Sequence, residues 1–240
     1  MIRLLAVVGI VLASCGPSAP RPATGLHASA TASGAAKAAT GVDPYDMGRA
    51  TTADGTIDVK VTDVGDRWSH LENTDLVDVH ATLRIGGDTY DVTIDRAMPR
   101  HPLDQYTTWF AVALGQEQHG DTGIGTAELP RVAPEIALWG WAHVRRNGQD
   151  IAVSAPAHVM VMKGGPLKGV MLLVNDEDKG LIGAPDGYLS VAWPDVASLS
   201  LPSSEQAWRH FGGLVALVVL FAAFLWLAST EPVGGATARS

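Results

Sequence analysis

His158, Met160 and Met162 alternate along one short apolar run, and Met171 follows on the next. Alternate residues of a β-strand share a face and stand about 6 to 7 Å apart, so an imidazole and several long thioether arms can reach one point. Soft sulfur with imidazole is a donor set for copper(I). The candidate metal ligands are therefore His158, Met160, Met162 and Met171. They belong to the stretch WGWAHVRRNGQDIAVSAPAHVMVM, residues 139 to 162. Asn147-Gly148 in its middle is a two-residue hairpin signal. Pairing Arg146 with Gln149 places Leu138, Gly140, Ala142 and Val144 on one face with Ile151, Val153, Ala155, Ala157, Val159 and Val161. Trp139, Trp141, His143, His158, Met160 and Met162 take the reverse face. The same register sets His143 opposite Ala152, too far from His158 to join a shared metal.

Three readings compete for this Trp/His/Met face. Loops such as GQEQHGDTGIG, residues 115 to 125, cover it and make it core. Or it is a docking surface for another protein, since aromatic and Met side chains concentrate at interface centres. Or it is the copper site. Docking is adopted, with Trp139, Trp141, His143, His158, Met160 and Met162 as contact residues; a copper-binding or metal-delivery role is the alternative.

Other chemistries lack their motifs. The run Gly115 to Gly125 has glycines but no following Lys-Ser/Thr, so it does not cradle phosphate. His119 and Asp121 within it, like His101 and Asp104, read as solvated loop residues. Asp58, Asp78, Asp91 and Asp95 lack the closely spaced acidic loop that calcium requires. Neither Gly-x-Ser-x-Gly nor His-Glu-x-x-His is present. No enzymatic class is expected. A formal net charge of −8 makes nucleic acid and anionic lipid poor partners.

The elements that must position these residues alternate apolar with polar. Ile57, Val59 and Val61 are separated by Asp58 and Lys60. DLVDVHATLRI and DTYDVTI flank Gly86-Gly87; with Ile85 opposite Asp88, the residues Val77, Val79, Ala81, Leu83, Tyr90, Val92 and Ile94 share a dry face. Further strands are expected over 107–114, 169–174 and 188–193. Short strands with frequent turns predict an all-β domain over 45–203, an antiparallel immunoglobulin-like β-sandwich. A β-barrel of the outer-membrane kind is not expected.

The two ends complete the reading. MIRLLAVVGIVLASC has the layout of a signal peptide over 1–14, and Leu12-Ala13-Ser14-Cys15 resembles the lipobox of bacterial lipoproteins. That resemblance implies cleavage before Cys15 and its acylation, palmitate included. Residues 15–44, with Ala, Ser, Thr, Gly and Pro prevailing, predict a disordered tether. Phe211 to Thr230 carries no charge, and 208–230 is long enough for a single transmembrane α-helix, leaving a short tail over 231–240. Together these predict an accessory subunit held in the cytoplasmic membrane by lipid and helix. Its domain would face the periplasm or exterior and pack against other membrane-protein subunits.

Overall fold

A computed structural model describes residues 25–40, 47–64, 75–98, 111–124, 127, 129–165, 167–175 and 187–203. Ten strands run through them: β1 (Leu26–Thr40), β2 (Thr51–Asp63), β3 (Leu76–Ile85), β4 (Asp88–Ala97), β5 (Val112–Leu114), β6 (Ile136–Arg146), β7 (Gln149–Met162), β8 (Gly169–Asn175), β9 (Tyr188–Trp193) and β10 (Ser198–Ser200). Neighbours pair antiparallel in the order β10-β1-β2-β3-β4-β6-β7-β8-β9, and β1 also pairs with β9. That last pairing, Lys37 with Ala192 through Thr40 with Leu189, closes the sheet on itself. Short β5 takes up the lane of β4 beside the first residues of β6, Val112 facing Leu138.

The expected immunoglobulin-like sandwich is thereby corrected to a closed eight-stranded antiparallel barrel. Single-sided alternation is common to both architectures, because each strand needs only one dry face. What separates them is whether the first and last strands meet. They meet here through β1, which the expected tether over 15–44 had removed from the domain. Its residues Leu26, Ala28, Ala30, Ala32, Ala36 and Ala38 alternate inward and are buried. Small residues suffice because large ones face them across a narrow interior. Gly34 (φ +91°) pairs with Gly55, at which any Cβ would meet the Thr82 carbonyl oxygen. Fully buried Trp193 donates its indole N–H to the Gly55 carbonyl at 3.3 Å. The barrel interior is a filled core of Ala, Val, Ile and Leu together with Tyr90 and Trp193.

The expected C-terminal membrane helix is not carried forward. Among the described residues no helix is long and apolar enough to cross a membrane, and 204–240 lie outside them. The single-pass location in the cytoplasmic membrane goes with it. Cys15 and the lipobox also lie outside the described residues. The outer wall of β2 and β3 carries the ion pairs Asp54–Arg84 and Asp58–Lys60 and an Asp78–His80 contact, opposite in character to the apolar outer band of a lipid-facing barrel.

The β3–β4 hairpin has the register its sequence predicts, Ile85 opposite Asp88 and Leu83 opposite Tyr90. The β6–β7 hairpin begins as predicted, with Arg146 opposite Gln149 around a turn whose Asn147 and Gly148 both have positive φ. Irregularities on either side of Val144 then shift the ladder, so that Val144 faces Ala152 and Ala142 faces Ala155. A bulge moves later residues by one position. Ala152 turns inward, whereas Val153, expected in the core, is 71% exposed.

Candidate metal centre

The outer face of β6, β7 and β8 is covered. The chain leaves β5, turns at Gly115 and crosses this face before returning to β6. Both ends are tied down: Gly115 N–H donates to the Glu135 carbonyl at 3.2 Å, and Glu135 N–H to the Val161 carbonyl at 2.9 Å. In the middle, Gln118 and Val132 exchange backbone hydrogen bonds of 2.8 and 3.0 Å. Arg131 reaches back to Glu117 at 3.2 Å and to Asp121. Bonding to that guanidinium holds the Asp121 carboxyl below the usual carboxylate range.

Beneath this strap lies a second apolar core outside the barrel: Met98, Ala113, Ala137, Trp139, Met160 and Met162, with Ile124, Val132, Trp141 and Met171 packed against it. The docking surface is therefore corrected at its centre, because Trp139, Met160 and Met162 are buried within the chain. Trp141 and His143 lie toward the far end of the face and remain half-buried. The Arg96 guanidinium stands 5.3 Å from the Trp141 ring centre, and His143 Nε2 is 2.9 Å from Asp150. His143 contributes nothing to the cluster around His158.

Two rows of outward side chains cross the covered wall. One runs Lys37, Ala192, Met171, Met160, Ala137 through successive strand pairings. The other runs Ala39, Ser190, Leu173, His158, Trp139. Met160 and Met171 are thus direct cross-strand neighbours, their Cβ atoms within about 5.5 Å. The His158 imidazole stacks on the Trp139 indole, with centres 4.5 Å apart and planes 21° apart. Its Nδ1–H donates to the Leu138 carbonyl at 2.8 Å. That bond selects the tautomer whose Nε2 carries the lone pair, which is how a ligand histidine is held.

Between the rows is a cavity of about 20 Å³ lined by His119, His158, Met160, Met171, Leu173 and Ser190. It has room for one water-sized guest. The structure brings together His158, Met160 and Met171 of the expected ligand set and leaves out Met162, which pairs with Gly169 one step further along. It adds His119, which reads from the sequence as part of a solvated loop. His119 is 5% exposed, with φ 64° and ψ 177°. This is a region that residues other than glycine seldom occupy, at a cost on the order of 1–3 kcal/mol. Gly115, Gly120 and Gly123, also at positive φ, turn the chain around it. The His119 amide donates to the Ile124 carbonyl at 2.6 Å, and the Thr122 hydroxyl donates to the His119 carbonyl at 2.9 Å. The preceding Gln118 is fully buried, and neither of its side-chain amide atoms has a hydrogen-bond partner among the described residues.

Two imidazoles and two thioethers around an ion-sized space form a soft donor set. No group of three or more His, Cys, Asp or Glu gathers among the described residues. The neutral thioethers bind copper(I) in preference to zinc or calcium. Compared with protein-family models, curated proteins and solved structures, the chain matches none.

Proposed function

We propose that this protein binds one soft monovalent metal ion, copper(I), through His119, His158, Met160 and Met171. The observation that carries the reading is the small cavity these side chains line under the strap. The Nδ1–H bond of His158 supports it by making the ring nitrogen required for coordination the lone-pair atom. The apolar surroundings of Trp139, Met98 and Ala113 exclude water, which favours thioether ligation and retention of the reduced ion. Binding, storage or delivery of the ion fits this arrangement.

The full-length chain, titrated with copper(I) against a chromophoric chelator in the absence of oxygen, should hold one equivalent. X-ray absorption should show mixed sulfur and nitrogen neighbours. Met160→Leu, which conserves volume, should lower the affinity by about tenfold or more without unfolding the chain. A folded wild-type chain that retains no copper ends the proposal, as does an unchanged affinity in Met160→Leu.

Docking on a partner protein keeps one observation in its favour: Trp141 under Arg96, with exposed Val153 on the same hairpin. A photo-crosslinker at Val153 tests it, and a partner captured there but not from position 58 on the charged wall would support it.

A further inference from the structure

Met171 borders two spaces. On one side is the buried cavity; on the other is an open groove of about 480 Å³ lined by Ala35, Lys37, Leu167, Met171, Ala192 and Trp193, among others. Resting on the copper reading, we infer that the ion enters and leaves through this groove, with Met171 as the exchange ligand that passes it between the buried site and an outside donor.

The walls of the site argue for this direction. Toward the barrel axis, Val159, Val170 and Leu172 are fully buried in a filled core. Above, the strap is pinned at Glu135 and at the Gln118–Val132 bridge. Along β6 the stacked Trp139 ring blocks the path behind His158. Met160 and His119 are buried; Met171, His158 and Leu173 are half-buried, and of these Met171 also lines the groove. The residue beside it in the row is Ala192, whose single methyl leaves the thioether uncovered; a longer side chain at that position would close it off.

Exchange needs no redox partner. An incoming donor brings copper(I) on its own sulfur or nitrogen; the Met171 sulfur–copper bond forms, the donor–copper bond breaks, and the ion keeps its oxidation state. It then moves inward as His158, Met160 and His119 add and the donor departs. The rim fits an anionic donor complex. Lys37 and Lys168 flank the opening, and Lys168 pairs with Asp195 at 2.9 Å. The rest of the chain carries a net negative charge that would turn such a complex away.

Two plugs test the route without replacing a ligand. Ala192→Leu fills the groove over Met171, and Ala35→Trp obstructs it from an exposed position that folding tolerates. Copper-loaded full-length protein is mixed with the anionic chelator bathocuproine disulfonate, and transfer is followed optically. Either plug should slow transfer by about tenfold or more, with stoichiometry and equilibrium affinity as in the wild type. Wild-type rates in both plugged variants, with copper still bound normally, would overturn the route and leave the site intact. Faster transfer in Arg131→Ala together with wild-type rates in the plugs would place the exit under the strap and overturn it equally. A wild-type chain that binds no copper removes both the site and the route.

Discussion

The barrel has two outer walls built on the same inner pattern. On β2 and β3 the outward positions carry Asp54, Asp58, Lys60, Asp78, His80 and Arg84, mostly exposed, with Asp54 and Arg84 paired across strands and the other two pairs formed along one strand. On β6, β7 and β8 they carry Trp139, His158, Met160, Met162 and Met171, roofed by the strap. The inward residues of both are alike, Val, Ile, Leu and Ala packed to exclusion of water. An already filled barrel does not need the second wall's apolar load for closure. That load exists to hold the strap, and the strap in turn brings His119 over the cavity.

The difference predicts unequal costs of substitution. Trp139→Ala removes the centre of the outer core and should destabilise the chain by about 3–5 kcal/mol, measured by urea unfolding. A loss under about 1 kcal/mol would mean that the strap is not anchored by this wall.

Asp75, at the foot of the charged wall, should cost less. Its two carboxylate oxygens accept the N–H groups of Val64 and Val112 at 3.0 Å each, joining the end of β2 to β5. Asn offers one acceptor in place of two, so Asp75→Asn should lose about 1–3 kcal/mol. Burial raises the Asp75 pKa and the Asp63 charge adds to it, while backbone N–H bonds from Val64, Val112 and Ala111 oppose it. With the folded value above the unfolded one, the associated stability is full below the ordinary carboxylate range and is lost as pH rises through the raised value. The gap between wild type and Asp75→Asn should therefore be widest in acid and narrow toward neutrality in unfolding curves taken across pH; a gap that widened instead would reverse the assignment.

His119→Gly separates strain from ligation. Glycine relieves the backbone cost, so metal-free stability should hold or rise by about 1 kcal/mol while copper affinity falls. Destabilisation of the metal-free protein would make His119 a packing residue alone. At the bottom of the scale, Arg84→Ala on the open wall should change stability by less than about 1 kcal/mol, a difference small enough that calorimetry at two salt concentrations is needed to resolve it.

How much of this is legible in the sequence follows the same division. The β3–β4 hairpin can be read in full, since strict alternation and Gly86-Gly87 leave one register in which every apolar residue points inward. The cover over the Trp/His/Met face is also among the readings the sequence allows, because a wet wall seldom carries such residues. β1 is not legible: its inward side chains are mostly alanine, and an alanine-rich strand facing large partners looks no more apolar than an unfolded tether. The bulges around Val144 leave no periodic trace, so simple alternation sends Val153 into the core. Alternation along β7 puts Met162 with Met160, but only the pairing with β8 distinguishes the residue opposite Met171 from the one opposite Gly169. His119 has one faint signal, a bulky residue within a run of turning glycines.

The closure of β1 on β9 also sets an order of events. Thr40 meets Leu189, so the first strand of the barrel acquires its second neighbour only after nearly the whole described chain has left the ribosome. Until then β1 and β2 form a hairpin with one edge unpaired, open to wrong partners. Pairings so distant in sequence fold on the millisecond-to-second scale of all-β domains. A nascent chain ending before Tyr188 should therefore collapse without sealing, and protection of the β1 amides from hydrogen exchange should be complete only when β9 and then β10 arrive.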